Sequence, residues 1–252
     1  MFWRRYDKRK PPFVHPDDEP ALKRHPSCVF TSLEEYVQSR QFGVRDGTLH
    51  FGLHPAPFSG DLTTADIFVL LLNPGFDTVD IYGEYSVPEF RRATEKTLAQ
   101  DLKGENFPFV YLDPQYCWSG AYRWWERKLR DVLSVLAFQK SVRYYDALKI
   151  CSEHLATIEL IPYHSASAPR ALERLPSATA AKEYVRTNLV PRAHRGEITL
   201  IVTRQIGNWG VEIPTEPTQD IVLYDTGLTR GAPLTSSSPG GAAILRRLSA
   251  SC

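Results

Sequence analysis

The sequence has no apolar run long enough to cross a bilayer. Its strongest, residues 67–72, is strand-sized against the roughly 20 residues that a transmembrane helix requires. The amino end also lacks the apolar core and small-residue cleavage site of a secretory signal, so no membrane association is expected and a cytoplasmic protein is. Cysteine is scarce and scattered: Cys28, Cys117, Cys151 and Cys252 form no C-x-x-C pair that could chelate zinc or an iron–sulfur cluster. The thiols are therefore read as free, in a reducing compartment, and no metal or cofactor is expected. Neither sign of charge dominates. Thirty Lys and Arg face 29 Asp and Glu, and a net charge of +1 says nothing for or against a polyanionic partner. Internal repeats and long low-complexity linkers are absent as well.

What is present is ordinary globular material, 42% hydrophobic and 23% charged, enough for one sizeable core. The expected organisation is a basic, proline-rich lead-in over residues 1–30 and a single α/β domain over 31–252, monomeric. The lead-in carries Arg4, Arg5, Lys8, Arg9 and Lys10 between Phe2, Trp3 and Tyr6, which suits either a solvated tail or a phosphate-contacting arm. Residues 11–26 are expected to wrap the surface. Thr31-Ser32-Leu33-Glu34 then matches a capping box that opens a short peripheral helix.

Four short stretches rich in branched apolar residues read as buried strands: 67–72, 157–161, 198–202 and 221–224. Helical patterns separate them. Over residues 119–138, Trp125, Leu129, Val132, Leu133 and Leu136 recur on one face while Arg123, Arg127, Arg130 and Asp131 take the other. Ala181, Tyr184, Val185 and Leu189 mark a second helix, and residues 240–248 a last one. This alternation predicts a three-layer α/β/α sandwich around a central, mostly parallel four-stranded sheet. Ligands of such sheets lie beyond the carboxyl ends of the strands.

Three segments bring polar chemistry to that edge. The first strand runs into Leu72-Asn73-Pro74-Gly75-Phe76-Asp77, with Tyr82 and Gly83 following. The second leads through Glu159-Leu160-Ile161-Pro162 to Tyr163-His164-Ser165. The fourth leads through Arg230-Gly231 to Thr235-Ser236-Ser237-Ser238-Pro239-Gly240-Gly241, where small residues at a helix start suit close approach to a phosphate or a groove. In this order the segments resemble the uracil-DNA glycosylase superfamily, in particular members whose first motif reads Gly-x-Asn-Pro-Gly. The resemblance covers residues 58–248 and is most specific at Asn73-Pro74-Gly75. His25-Pro26-Ser27 looks like a late motif of that superfamily but precedes the first strand, and chain order excludes it.

The resemblance implies a turn at Asn73, Pro74 and Gly75 that positions the hydrolytic water, Phe76 or Tyr82 as a stacking platform, and Tyr163, His164 and Ser165 at the base edge. It further implies that Arg230, Ser236, Ser237, Ser238, Gly240 and Gly241 contact DNA. Three departures bear on the substrate: Leu71 replaces the motif glycine, the second strand end has no asparagine, and no histidine precedes the late Ser-Pro. Together they imply a modified or damaged pyrimidine rather than plain uracil. Some superfamily members remove hypermodified cytosine from phage DNA, a defence role this chain is similar to.

Cleaving an N-glycosidic bond requires a held water, a hydrogen-bond donor for the departing base and exclusion of solvent. Asn73 can orient water but does not titrate. Among the nearby carboxylates Asp77, Asp80 and Glu84, Asp77 is the expected base. His164 is read either as the donor to the departing base or as a structural histidine. The aromatic cluster at 107–111 with Tyr116, Trp118, Tyr122, Trp124 and Trp125 is mainly core, with Trp118 and Tyr122 the best candidates for a pocket wall. The expected activity is a monofunctional DNA glycosylase that leaves an abasic site. The alternatives are a catalytically inactive nucleic-acid-binding protein of the same fold and a nucleotide-processing α/β hydrolase.

Overall fold

A computed structural model describes residues 2–167, 170–204, 206–211, 219–224 and 232–250. Seven strands are numbered in chain order: β1 (Ser27–Cys28), β2 (Leu49–His50), β3 (Phe58–Ser59), β4 (Ile67–Leu71), β5 (Leu155–Glu159), β6 (Thr199–Val202) and β7 (Ile221–Leu223). The protein is α/β, with a mixed five-stranded sheet ordered β3-β5-β4-β6-β7 and a small parallel pair, β1 with β2. The four strands expected from sequence pair in parallel, and β3 adds an antiparallel edge to β5. The sheet therefore has five strands rather than four. A two-residue strand is too short to carry a period, and β3 exists because Phe58 and Ser59 align with Ile158 and Thr157.

Alternation along β4 feeds two cores. Ile67 and Val69 pack with α5 (Gly120–Lys140) and α6 (Tyr144–His154), and Phe68 and Leu70 pack with α7 (Pro176–Tyr184), the π-turn after it and α8 (Val190–His194). Helix α5 has the face read from its sequence: Trp125, Leu129, Val132, Leu133 and Leu136 are buried, and Ser119 caps the start by accepting from the Tyr122 N–H at 3.1 Å. Each such leucine contributes on the order of 2 kcal/mol by leaving water. Since the path from β4 to β5 returns through α5 and α6 on one face and the path from β5 to β6 through α7 and α8 on the other, the carboxyl ends of β4 and β5 flank a topological switch point, where open α/β sheets leave a crevice.

The lead-in is built into the fold rather than draped over it. Trp3, Phe13 and Leu22 are buried, and His15 and Asp18 have no exposure at all. Its apolar side chains gain more by joining the core than by fraying, and its charges find internal partners: Arg5 with Asp17, Arg9 with Asp7 at 2.8 Å, and Lys8 with Glu95 at 3.3 Å. The capping box shifts by one residue. Ser32 accepts from the Glu35 N–H at 3.0 Å to open α2 (Leu33–Gln38), while the Glu35 carboxylate takes the Thr31 N–H at 2.7 Å. Among the described residues no helix is long and apolar enough to cross a membrane.

Candidate functional site

The ends of β4 and β5 are tied together by the residues the sequence singles out. Backbone pairing carries past the strands, with the Leu160 and Ile161 N–H groups donating to the Leu71 and Leu72 carbonyls at 3.1 and 2.8 Å. The Asn73 amide then crosses over, its Nδ2 donating to the Ser165 carbonyl at 2.9 Å and reaching the Ser165 hydroxyl at 3.4 Å. His164 closes the link from the other side, its Nδ1 3.1 Å from the Gly75 carbonyl. Gly75 has a φ of +73°, which a side chain at this turn would strain. The result is a rigid joint between segments 92 residues apart.

This joint borders a cavity of about 600 Å³, within the size range of small-molecule sites. Asn73, Pro74, Gly75, Phe76, Asp77 and His164 all line it. Burial pushes the His164 imidazole down to about 4, against the pull of backbone groups at Gly75 and His54. At neutral pH the ring is uncharged and carries one proton, with backbone groups at both Gly75 and His54 to receive it. Through these backbone contacts His164 holds the turn in place.

Three carboxyls stand on the cavity wall besides Asp77. Asp77 caps α3 (Thr78–Ser86), its Oδ1 accepting from the Val79 N–H at 3.2 Å while Oδ2 lies 3.8 Å from Arg123. It also abuts Gly120, where an added Cβ would sit 2.9 Å from the Asp77 Cβ. Oδ1 is thus engaged in the helix cap, while Oδ2 faces Arg123. Asp80 completes the capping box by accepting the Asp77 N–H at 2.7 Å. Burial lifts its carboxyl to about 7, opposed by that N–H and by Arg123, with repulsion from Asp77 adding to the rise. Glu84 is also raised to about 7 by burial, with Arg91 opposing and Glu95 adding. It sits in a closed polar group with His54 at 3.5 Å and Arg91 at 3.5 Å. Glu159 is the last residue of β5, in register with Leu71, and is 7% exposed. Burial holds its carboxyl well above the carboxylate range, with Arg204 opposing, and its Oε2 has no hydrogen-bond partner.

Positive charge borders the same cavity. Arg45, Arg123, Arg127 and Arg204 are exposed on its lining, and Lys128 sits 5.5 Å over the Trp124 ring with Nζ donating to the Ala232 carbonyl at 3.2 Å. Aromatic walls come from Phe76, Tyr111, Trp124 and Trp125. His50 covers one face of Phe76 in a parallel stack, 3.5 Å between ring centres and 7° between planes. Trp118 and Tyr122 are not on the lining; Trp118 packs instead against Tyr82 and Phe90.

Several expected residues lie elsewhere. Tyr163 is 1% exposed, and its hydroxyl donates to Asp18 at 2.7 Å while accepting the His15 N–H at 3.2 Å. It anchors the lead-in and does not reach the cavity, a correction to its place at the base edge. Tyr82 is 41% exposed and packs edge-on against Trp118, so the stacking platform is left to Phe76. The small residues before α10 (Pro239–Ala250) are explained by close packing. A Cβ on Gly241 would meet the Thr235 carbonyl at 1.8 Å, and one on Gly240 the Tyr224 hydroxyl at 2.7 Å. The Ser238 hydroxyl lies 2.8 Å from both the Pro233 and the Thr235 carbonyl and shares its one proton between them, and Ser236 pairs with Asp131. Of this segment only Ala232 and Leu234 line the cavity, so Ser236, Ser237, Ser238, Gly240 and Gly241 stand apart from it. Arg230 lies outside the described residues. Among those residues no group of three or more His, Cys, Asp or Glu is arranged to hold a metal ion.

Glu159, Tyr111, Ser59 and the cations of α5 were not assigned to the site from sequence. A lone acid inside the apolar run Ala156-Thr157-Ile158-Glu159-Leu160-Ile161 was the available signal for the first. Comparison with protein-family models, curated proteins and solved structures gave no match.

Proposed function

We propose that this protein is a monofunctional DNA glycosylase that hydrolyses the N-glycosidic bond of a modified pyrimidine and leaves an abasic site. The observation that carries the reading is the meeting of the Asn73-Pro74-Gly75 turn with the end of β5 at the switch point, on a cavity with acids inside and cations around it. The corresponding architecture is the three-layer α/β/α sandwich of the uracil-DNA glycosylase superfamily, with β3 appended to a four-stranded parallel core. The resemblance at Asn73-Pro74-Gly75 supports the same assignment.

In this mechanism the target base leaves the stack and enters the cavity beside Phe76. Asn73 spends its Nδ2 on Ser165 and keeps Oδ1 to accept from the attacking water. Asp80 takes the proton of that water as its oxygen bonds to C1′, while the C1′–N bond breaks toward the base. Arg45, Arg123, Arg127, Lys128 and Arg204 supply phosphate contacts and account for a DNA partner despite a net charge of +1.

The test is a set of duplex oligonucleotides, each with one modified cytosine or thymine, incubated with the protein and then heated in alkali. Strand scission at the modified position, seen only after alkali, is the expected outcome. Affinity should fall with salt along a log–log slope no steeper than about −4.5, the value for five phosphates neutralised. Binding with no alkali-labile site on any duplex would favour a non-catalytic DNA-binding protein, and turnover of free nucleotides with indifference to DNA would favour a nucleotide hydrolase.

A further inference from the structure

We propose that Glu159 is the general acid of this site, giving its proton to the departing base, and that the base is a 4-aminopyrimidine. The inference rests on the glycosylase reading above and adds both a catalytic residue and a substrate class to it.

A departing pyrimidine leaves as an anion at N1, so the site needs a donor aimed at the base. The obvious ones are engaged: the His164 ring has backbone partners at Gly75 and His54, and the Asn73 Nδ2 is held by Ser165. Two buried acids of the cavity wall have an oxygen with no hydrogen-bond partner, Glu84 and Glu159, and Glu84 Oε1 lies 3.5 Å from both His54 and Arg91, which leaves Glu159. It stands at the carboxyl end of β5 beside Leu71, two residues before Asn73, on the cavity wall. It is more than nine-tenths buried, and Oε2 is sealed from solvent with no partner. Leaving a buried acid oxygen unpaired costs on the order of 1–3 kcal/mol, a cost that a ligand completing its hydrogen bonds would remove. Arg204 is the charge that acts on it and the Tyr111 phenol interacts with it, while Oε2 is hydrogen-bonded to neither. Burial raises the carboxyl well above the usual carboxylate range, against the pull of Arg204, and so favours its protonated form.

A neutral carboxyl offers one donor and one acceptor side by side. A 4-aminopyrimidine presents the complement, a ring N3 lone pair next to an exocyclic N–H. Such a base is also the one in greatest need of an acid, because its N1 anion is more basic than that of a 2,4-dioxopyrimidine. The balance of the step is complete. The C1′–N1 bond breaks with its electron pair moving into the ring, and the Glu159 proton goes to N3. Water adds to C1′, Asp80 receives the water proton, and the base departs neutral. Solvent then carries a proton from Asp80 back to Glu159.

The experiment compares wild type with Glu159→Gln and Glu159→Asp in single-turnover cleavage of duplexes containing cytosines whose 5-substituents differ in electron withdrawal. Glu159→Gln is expected to slow 5-methylcytosine release by about 10²- to 10⁴-fold, with a smaller deficit on 5-fluorocytosine, where the anion leaves more easily. Glu159→Asp recovers part of the rate. The alkaline fall in the wild-type profile disappears in Glu159→Gln, while binding to a non-cleavable duplex and the melting temperature at pH 5 are unchanged. Equal dependence on the 5-substituent in wild type and Glu159→Gln, or wild-type activity confined to 2,4-dioxopyrimidines, overturns the inference and leaves the glycosylase reading standing. Failure of the wild type to release any base overturns both.

Discussion

Asp80→Asn is expected to lower the rate of base release by about 10²- to 10⁴-fold, the usual contribution of a general base, while making the protein more heat-stable above pH 7. The two effects come from one cause. Burial raises the Asp80 carboxyl to about 7, close to the ideal for accepting a proton near neutrality. A carboxyl raised in the folded state is no burden below the unfolded carboxylate range, where both states are protonated. Its stability contribution is lost as pH rises from there through about 7, because folding must then hold a desolvated anion. Asparagine keeps an oxygen for the Asp77 N–H and carries no charge. The melting temperature of Asp80→Asn should therefore match wild type at pH 4 and exceed it by several degrees at pH 8, given about 2–4 °C per kcal/mol for a chain of this size. Loss of activity in a more stable variant cannot be ascribed to unfolding. Asp77→Asn is the control: asparagine caps a helix as well as aspartate does, so its rate should stay within several-fold of wild type. An active Asp80→Asn beside an inactive Asp77→Asn would reverse the assignment.

Asn73→Ala should suppress alkali-labile sites by about 10²-fold or more, the scale of misplacing a reacting group by about 1 Å. Alanine removes the acceptor proposed for the water and also the donor that fastens the turn to Ser165, so the β4 and β5 ends lose a side-chain link between them. The loss of that hydrogen bond costs stability as well, by about 0.5–1.5 kcal/mol. Asn73→Asp separates this arrangement from one built on a carboxylate at the same position. Aspartate cannot donate to the Ser165 carbonyl and sets two oxygens against each other at 2.9 Å, so this variant should be at least as impaired as alanine. Full activity in Asn73→Asp would mean that the residue acts by titrating, contrary to its proposed role.

What the sequence revealed depended on whether the information was local. Strand β4 and helix α5 were legible because their burial is periodic: a continuous run for a strand covered on both faces, and a stripe at positions 125, 129, 132, 133 and 136 for a helix covered on one. Asn73 and His164 were legible because a polar residue directly after a buried strand must face the sheet edge. Tyr163 looked the same and was misassigned. β5 ends at Glu159 rather than two residues later, and past that point alternation no longer says where a side chain goes. Its direction is set by Asp18, which lies 145 residues away in a lead-in read as surface. The same slip hid Glu159 itself, taken for part of the approach to a later motif.

Gly240 and Gly241 illustrate a different limit. Small residues at a helix start do mark a close approach, but the approaching group is the Tyr224 hydroxyl or the Thr235 carbonyl rather than a ligand. Arg123 and Arg127 read as the solvated side of an amphipathic helix, which they are. That this side borders a cavity follows only from how α5 sits on the sheet. Choosing between Asp77 and Asp80 required knowing that burial lifts the Asp80 carboxyl toward neutrality, since both take part in the helix cap.

The most direct test of the central claim is to incubate the wild-type protein with genomic and phage DNAs that differ in cytosine and thymine modification, and to identify by mass spectrometry what is released into solution. The account predicts a free, uncleaved heterocycle carrying a 4-amino group, in amounts equal to the abasic sites left in the DNA. Intact nucleotides or nucleosides in place of a free base, or no release from any DNA while the protein binds it, would contradict it.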